Sequence, residues 1–476
     1  MKAMKKIMYL GVVLMLFVAC SEDILEEKPK SIASETFYNT VAEVEAAVNA
    51  IYYPVGVSQI TNEINLVEVL ADYEYGKGSL SYINDYIGYS PANITNMGYL
   101  WQAYYLMIRN ANLAILNTPY GTETSESQKS QYIAEAKFLR AFAYFHLVRL
   151  WGGVPLRTEE TMKAIDIARS SVDEVYDFII SDLLYAELNL PDNPRVLGTP
   201  SKMVAKTLLA DVYLTIEDWT NARNKAGEVI ASGKFSLVKI GTVDDFINIY
   251  GPDLITSSEE IFYFKYTRDY GLGFLGFLHY PSDGYKPYGA NYFAHYTKAG
   301  NLFYKNWDNN DLRKQNNFYL WDIALGNDTY LFKKWIDPKG YNNSPNDWPF
   351  YRYPEVLLIY AEADNRVNNG PTTTAVEYLN IVHRRAYGYD PMVPSPIDFK
   401  IGDYDKDSFF ELVFQEKGYE TFNEAKRWFD LIRTHKTAKV IKETFNIDMA
   451  SSMLLWPIPV GETSYNKLIG PNNPGY

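Results

Sequence analysis

Residues 201–235 read "SKMVAKTLLADVYLTIEDWTNARNKAGEVIASGKF", and this stretch decides the fold. Apolar side chains recur at intervals of three and four on both sides of a short turn, which is the pattern of two amphipathic helices. Gly233 follows the last periodic residues and is typical of a helix C-terminus. The stretch therefore predicts two consecutive helices that pack against each other.

A second stretch repeats the spacing of this pair. Two segments share the same spacing: residues 210–222, "ADVYLTIEDWTNA", and residues 363–375, "ADNRVNNGPTTTA". In each segment, Ala-Asp lies late in one predicted helix and Ala lies early in the next. Small residues where helices cross are typical of tetratricopeptide repeats. The sequence thus predicts a mainly α protein on a tetratricopeptide-like helix-pair scaffold.

Helical periodicity extends over most of the remaining chain. The further helical segments are residues 40–52, 99–117, 130–151, 171–191, 353–367, 372–386, 407–422 and 424–434. Two of them begin with capping boxes, Thr40 with Glu43 and Ser171 with Glu174. Residues 245–350 show no period, and mixed Gly, Pro, Asn and aromatic residues predict an irregular loop-rich portion with short strands, inserted mid-chain.

The N-terminus has the three-part form of a secretory signal. Lys2, Lys5 and Lys6 precede an apolar run that is too short to span a bilayer, and Cys20 follows it as the only cysteine of the chain. The boundary "FVAC" resembles the lipobox of bacterial lipoproteins, in which cleavage precedes a cysteine that then carries a diacylglycerol. An ordinary signal with an incidental cysteine is the alternative. Lipidation of Cys20 explains why the chain has a single cysteine and why that cysteine follows the apolar run, and it would tether the mature protein to a membrane.

Composition narrows the range of partners. The formal net charge of −13 argues against nucleic acid, whose binding requires a basic surface. The chain contains 41 tyrosines, and a tyrosine combines a flat apolar ring with a polar tip that suits half-exposed binding surfaces.

Several stretches together resemble the SusD-like (RagB) family of outer-membrane nutrient-binding lipoproteins. They are the lipobox, "LRAFAYFHLVRLWGGVPL", "EVLLIYAEADNRV", "EKGYETFNEAKRWFDLIR" and the ending "LLWPIPVGETSYNKLIGPNNPGY". The resemblance implies a surface lipoprotein that binds an oligosaccharide without catalysis and delivers it to a TonB-dependent outer-membrane transporter of the SusC-like type. A peptide-binding member of the same family and a surface glycoside hydrolase are the alternatives.

The resemblance also implies the division of the chain. Residues 1–19 are expected to form a lipoprotein signal peptide and residues 20–35 an acidic tether, which resembles surface-export signals and favours the outer face of the outer membrane. Residues 36–476 are expected to form a SusD-like domain. Its helical scaffold spans about residues 36–244 and 351–445, its loop-rich portion residues 245–350, and an extended tail residues 446–476. The motif side chains are expected to lock helices through buried polar pairs rather than to hold sugar: Arg140, His146, Trp151, Arg427, Trp428 and Asp430.

Other motifs give little support to catalysis or metal binding. "GLGFLG", Gly271 to Gly276, lacks the following helix that a dinucleotide site needs. "DYDKDSFFELVF" begins like a calcium loop, but its sixth and twelfth residues do not fit, and Ser408 with Glu411 predicts a capping box instead. A structural calcium ion elsewhere stays an open alternative with no residues assigned.

The histidines show no zinc spacing, and no nucleophile elbow occurs. Two carboxylates flanking a glycosidic bond cannot be chosen from 58 acidic residues.

Aromatic clusters in loops are the best candidates for ligand binding. A sugar ring has an apolar face that a flat aromatic covers, while Asn and Asp bind its hydroxyls. The predicted aromatic ligands lie in an early loop and in the mid-chain portion: Tyr73, Tyr75, Tyr82, Tyr86, Tyr89, Tyr285, Tyr288, Tyr292, Trp307 and Trp321. The predicted polar ligands are Asp72, Asn84, Asp85 and Asn291. The alternative for these rings is that they hold long loops against the scaffold. The ligand is expected where the early loop meets the mid-chain portion.

Overall fold

A computed structural model describes residues 37–56, 58–278, 294–337, 339 and 344–476. The first part of the chain contains helices α1 (Val41–Gly56), α2 (Ser58–Val69), α3 (Pro91–Asn117), α4 (Glu126–Trp151), α5 (Val172–Asn189), α6 (Lys202–Thr215) and α7 (Trp219–Ala231). Short helices follow mid-chain: α8 (Ile247–Tyr250), α9 (Leu275–Leu278), α10 (Leu302–Asn306) and α11 (Leu312–Asn317). The last part contains α12 (Tyr353–Val367), α13 (Thr373–Ala386), α14 (Lys406–Glu420), α15 (Arg427–Arg433), α16 (Thr437–Phe445) and α17 (Val460–Tyr465). The predicted mainly α fold class is confirmed.

Small residues let the helix pairs approach closely, as the repeat predicted. Ala210 of α6 and Ala222 of α7 are fully buried where these two helices pack together. Ala363 and Ala375 occupy the equivalent positions of α12 and α13 and are also fully buried. Gly227 brings α7 onto α12, since a Cβ there would lie 3.3 Å from the Tyr360 ring.

Helix caps agree with the sequence at two of the three predicted positions. Thr40 with Glu43 and Ser171 with Glu174 form the expected reciprocal hydrogen bonds. The prediction that Ser408 with Glu411 caps α14 is wrong by one turn: Asp405 is the N-cap, and its carboxylate accepts the N–H groups of residues 407 and 408. Asp405 therefore satisfies the first free N–H groups of the helix.

The strands form two small sheets. The larger sheet has the order β1 (Tyr75–Gly76), β3 (His295–Lys298), β5 (Thr329–Phe332) and β4 (Phe318–Leu320), with antiparallel neighbours. The smaller sheet pairs β2 (Glu260–Phe264) with β6 (Trp348–Arg352), and β2 is one of the short strands expected within residues 245–350. The larger sheet joins the early loop to the mid-chain portion.

Buried ion pairs lock the mid-chain portion onto the last helices. Arg352, at the end of β6, lies 3.1 Å from Glu259 and 2.9 Å from Glu420 of α14. Arg385 of α13 contacts the same two glutamates. Burial alone would raise the pKa of Glu420, but the guanidinium groups of Arg385, Arg352 and Arg313 hold it well below its usual range. Loss of one member would leave buried charge uncompensated, so these contacts fix a single arrangement.

The family motifs contribute buried polar contacts of the expected kind. Arg140 pairs with Asp182 at 2.7 Å, and the Nδ1 atom of His146 lies 2.6 Å from Glu63. The Trp151 indole donates to the carbonyl of Pro457 at 3.0 Å. Arg427 pairs with Asp72 and Asp430 with Lys417 in the same way, whereas Trp428 is buried in the hydrophobic core.

The C-terminal tail departs from the extended chain that was predicted, because it contains α17 and a 3-10 turn at Ser451–Leu454. No helix in the described part of the chain combines the length and the apolar character that crossing a membrane would take.

Candidate ligand-binding surface

The early loop and the mid-chain portion meet at the edge of the larger sheet. Tyr75 of β1 pairs with Tyr296 of β3, and Gly76 with His295. Next to this pairing, the Lys77 N–H donates to the Ala294 carbonyl at 2.7 Å. The expected meeting of the two regions is therefore present in the structure.

Two stacked tyrosines form a half-exposed platform at this edge. The rings of Tyr75 and Tyr296 lie 5.4 Å apart, with planes 18° from parallel, and both are half-buried. The Phe445 ring meets Tyr75 edge-on at 5.0 Å and supports it from beneath. We call this pair the tyrosine platform.

Hydrogen bonds from the Asn84 side chain stabilise the loop that follows β1. Asn84 accepts the Gly76 N–H at 2.7 Å and donates to the Gly76 carbonyl at 2.9 Å. A Cβ at Gly76 would come within 2.6 Å of the Leu80 backbone, so the tight return needs glycine. Asn84, predicted to bind a ligand, instead uses its amide to fix the loop that carries Tyr82.

The turn between β4 and β5 adds polar groups beside the sheet. Asp322 accepts the backbone N–H groups of residues 325 and 326, both at 2.9 Å, and thereby shapes the turn. Lys298 of β3 pairs with Asp328 at 2.9 Å. The Lys77 ammonium reaches the Ile323 carbonyl at 3.4 Å and links the early loop to this turn. Trp321, half-buried, begins the turn, and its backbone N–H donates to the Thr329 carbonyl.

Two predicted tyrosine ligands lie in the core, which contradicts their proposed role. Tyr73 packs on Phe422 at 4.6 Å, and its hydroxyl donates to Glu68. Tyr86 is equally buried, and its hydroxyl lies 3.2 Å from two backbone carbonyls at the end of α2. A ligand cannot reach either ring without unpacking the loop.

Trp307 and Asp72 are also structural. The Trp307 ring stacks on Tyr419 at 4.5 Å, and its indole N–H donates to Asp311 at 2.8 Å. Asp72 is buried and receives both N–H groups of the Arg427 fork at 2.9 Å. These two predictions were wrong because partners distant in sequence cover the side chains.

The remaining predicted residues divide between exposed, partly covered and undescribed positions. Tyr82 is 63% exposed, and Asp85 is exposed beside it. Tyr89 is half-buried, and its hydroxyl donates to the Met453 carbonyl at 3.1 Å. The predicted residues outside the described part of the chain are Cys20, Tyr285, Tyr288, Asn291 and Tyr292.

Sequence reasoning missed Tyr296, the second ring of the platform. The strand "HYTK" at residues 295–298 alternates buried and half-buried side chains, which is the period-two signal of a strand with one covered face. The sequence does not show this alternation, because the buried residues His295 and Thr297 are themselves polar, so Tyr296 could not be identified as the outward ring from the sequence.

A buried group of ionisable side chains lies directly behind the platform. His295 Nδ1 is 2.7 Å from Glu74, and Nε2 is 2.8 Å from the Asn65 oxygen. Burial raises the pKa of Glu74 well above its usual value and lowers the pKa of His295 to about 4. A protonated Glu74 that donates to a neutral His295 fits both shifts. The platform strand thus rests on an uncharged hydrogen-bonded pair.

The surface suits recognition of a flat ligand with an apolar face. It offers two stacked rings, a further exposed tyrosine and charged groups that are already paired at its rim. In the part of the chain that the structure describes, no cluster of three or more His, Cys, Asp or Glu side chains is arranged to hold a metal ion. The chemistry available here is stacking and hydrogen bonding.

Comparisons with known proteins agree with this architecture. A family model described as "Starch-binding associating with outer membrane" matches residues 23–214, and a model of the SusD family matches residues 259–476. SusD-like protein P2 of Formosa agariphila is 29% identical over 99% of this chain and 100% of its own length. SusD-like protein P38 of the same organism is 29% identical over 92% of each chain.

Solved structures share the fold at lower identity. A SusD homologue from Bacteroides thetaiotaomicron superposes with a TM-score of 0.80 at 22% identity, covering 95% of this chain and 100% of its own. The surface glycan-binding protein A of that organism, solved in complex with laminarihexaose, has a TM-score of 0.74 at 21% identity, covering 91% of this chain and 99% of its own. Since the two family models match both halves and full-length relatives align from end to end, this chain belongs to the SusD-like family.

Proposed function

We propose that this protein binds an oligosaccharide at the tyrosine platform and passes it to a TonB-dependent outer-membrane transporter, without catalysis. The observation that carries the proposal is the half-exposed Tyr75–Tyr296 stack, which unites the two regions of the chain at one surface. Aromatic faces cover the apolar face of a sugar ring, and the polar rim of the ring requires hydrogen-bonding neighbours. Asp322 and Asp328 are exposed, and each uses one carboxylate oxygen in the contacts described above, so its other oxygen can accept a sugar hydroxyl.

The comparisons support a sugar as the ligand. One structural neighbour holds laminarihexaose, and another is described as a laminarin-binding SusD-like protein. Both share the fold across more than nine-tenths of this chain. The net charge of −13 favours a neutral glycan over an acidic one, because like charges repel.

The binding proposal is tested by replacing Tyr75, Tyr82, Tyr296 and Trp321 with alanine, one at a time. Affinity is measured by calorimetry against a panel of neutral oligosaccharides, with the melting temperature of each variant recorded. Loss of a main platform ring should cost about 1 kcal/mol or more, which is about fivefold in affinity. Tyr120→Ala, a ring 76% exposed outside this surface, is the matched control. Unchanged affinity in all four variants would contradict the proposal.

The same panel separates the alternative functions. Peptides in the panel test for a peptide-binding protein, and analysis of the glycans after incubation tests for hydrolysis. Tight binding of peptides without glycan binding, or turnover of a bound glycan, would replace the proposal with the corresponding alternative.

Membrane attachment and transfer form the second part of the proposal. We expect a diacylglycerol on Cys20 that anchors the protein in the outer membrane, facing the exterior. Cys20→Ala should leave the protein folded and glycan-binding but recovered in the soluble fraction. A pull-down in mild detergent should recover a large barrel protein with the wild type. A variant that still fractionates with membranes contradicts the anchor, and recovery of the lipoprotein alone contradicts the partner.

A further inference from the structure

A second aromatic cleft lies away from the tyrosine platform. It has a volume of about 370 Å³ and opens between the C-terminal end of α1, the loop at residues 197–199 and the residues that follow β2. Tyr52, Phe264 and Tyr266 form its more buried side. Tyr53 and Tyr270 stand at its open side, 86% and 74% exposed. The cleft shares no residue with the platform, and its size lies in the range of small-ligand sites.

The buried side of the cleft is preformed. The Tyr52 hydroxyl donates to Glu135 at 2.8 Å, and its ring meets Phe264 edge-on at 6.1 Å. The Tyr266 hydroxyl donates to the Gly56 carbonyl at the end of α1. These contacts fix three aromatic rings before any ligand arrives, so little side-chain entropy remains to be lost there on binding.

Glycine shapes the opposite wall. Gly198 has a φ of +89°, a conformation that favours glycine. A Cβ at this position would lie 2.8 Å from Cγ of Lys265, so the loop rests directly on the lysine stem. The loop backbone therefore approaches the strand end closely and leaves the cleft open beside it.

The charged groups around the cleft are compensated. The Lys265 ammonium lies 2.8 Å from Glu260 and 2.7 Å from Asp347. Arg195 pairs with Glu135 at 3.0 Å and donates to the Asn49 oxygen at 2.7 Å. A charged ligand would find no unpaired counter-ion among these groups. The binding of a neutral ligand does not depend on such a counter-ion, so the pairing of these groups does not weaken it.

We propose that this cleft is a second binding site for neutral sugar rings. Its aromatic faces match the apolar face of a pyranose, and Asn49 at the rim offers an exposed amide to hydroxyl groups. The ligand class rests on the proposed function, while the location and residues are independent of it. Two sites on one chain engage a long glycan together, so polysaccharide binds more tightly than a single-site oligosaccharide.

The test compares a cleft variant, Tyr53→Ala with Tyr270→Ala, and a platform variant, Tyr75→Ala with Tyr296→Ala. Both are titrated with laminarihexaose and other neutral hexasaccharides, and then with the polysaccharides from which these derive. Tyr120→Ala again serves as the control for loss of an exposed ring. We expect the cleft variant to lose one of two hexasaccharide sites and at least about tenfold in polysaccharide affinity. Its melting temperature should stay at the wild-type value, because both replaced rings are exposed.

The outcomes separate the two proposals. If the platform variant loses affinity while the cleft variant keeps the wild-type stoichiometry and affinity, only the second site is overturned. If the cleft variant alone loses affinity, the cleft stands and the platform falls. If wild-type protein binds no neutral glycan, both are overturned. A peptide that competes at the cleft while no sugar does would overturn the assigned ligand class.

Discussion

At the scale of single residues, Glu68 is a buried carboxyl whose protonation affects the stability of the fold. Its carboxyl is buried behind the early loop, where it accepts the Tyr73 hydroxyl and the Ala425 N–H. Burial, followed by the nearby Glu74 carboxyl, raises the pKa of Glu68 to about 8 from an ordinary value of 4.5. At neutral pH the folded protein therefore holds a proton on Glu68 that the unfolded chain releases.

This shift predicts a loss of stability on the alkaline side. Between the unfolded pKa of 4.5 and the folded pKa of about 8, the folded state binds the extra proton, so stability falls as pH rises through this window. His295, whose pKa is lowered from 6.5 to about 4, acts in the opposite sense only below 6.5. From pH 6.5 upward, release of the Glu68 proton should therefore lower the unfolding free energy by on the order of 1 kcal/mol per pH unit, and this slope should decline as the pH reaches the folded pKa of about 8.

Glu68→Gln isolates this contribution, because the amide keeps an acceptor for Tyr73 and removes the titrating proton. Urea unfolding at several pH values from 6.5 to 8.5 should show a smaller alkaline loss in the variant than in the wild type. The Glu74 proton remains in both proteins and cancels in the comparison. Equal slopes in the two proteins would contradict the raised pKa.

Single residues also mark the limit of sequence-based prediction for the site. Tyr73 and Tyr82 lie in the same Gly- and Ser-rich loop, yet Tyr73 is buried and Tyr82 is exposed. What covers Tyr73 is Phe303 and Phe422, which are more than 200 residues away in the chain. Because burial depends on such distant contacts, the loop composition could indicate an aromatic region but not which rings face outward.

At the scale of elements, the long helices were predictable and α2 was not. The segments that begin α12 and α13 follow the apolar period closely, and the structure places helices there. Helix α2 buries Ile60, Ile64 and Val67 at helical spacing, but it also buries the polar residues Glu63, Asn65 and Glu68, whose side chains would ordinarily mark a solvent-facing side. These side chains contact His146, His295 and Tyr73, and only the folded partners explain their burial.

The start of α3 provides a prediction at this scale. Ser90 is the N-cap: its hydroxyl accepts the Asn93 N–H at 3.1 Å, and Asn93 accepts the Ser90 N–H at 3.0 Å. Ser90→Ala should lower the unfolding free energy by about 1 kcal/mol, because a buried N–H loses its acceptor. Ser90→Gly should lower the unfolding free energy by only about a few tenths of a kcal/mol, since glycine suits the cap conformation. A Ser90→Ala variant that unfolds at the wild-type denaturant midpoint would contradict this role of the cap.

At the scale of the whole molecule, the last residues of the chain pack against the C-terminal end of α4. The Trp456 backbone N–H donates to the Leu150 carbonyl at 2.7 Å, and the Trp456 ring meets Trp151 edge-on at 5.1 Å. Asn473 donates to the carbonyls of both tryptophans, at 2.9 and 2.7 Å. Residues more than 300 positions apart thus share one buried cluster, which should make unfolding cooperative along the chain.

Trp456→Ala tests this closure. Removing a buried tryptophan ring costs about 3–5 kcal/mol, part of it for the cavity that remains. If the tail belongs to the same cooperative unit as α4, urea unfolding followed by circular dichroism should show one transition at a lower midpoint. Tyr465→Ala, in the same tail but 81% exposed, is the matched control and should leave the midpoint unchanged. A separate early transition in the Trp456 variant would mean that the tail unfolds independently. In that case the buried ion pairs of the mid-chain portion, rather than the Trp151 cluster, hold the molecule together.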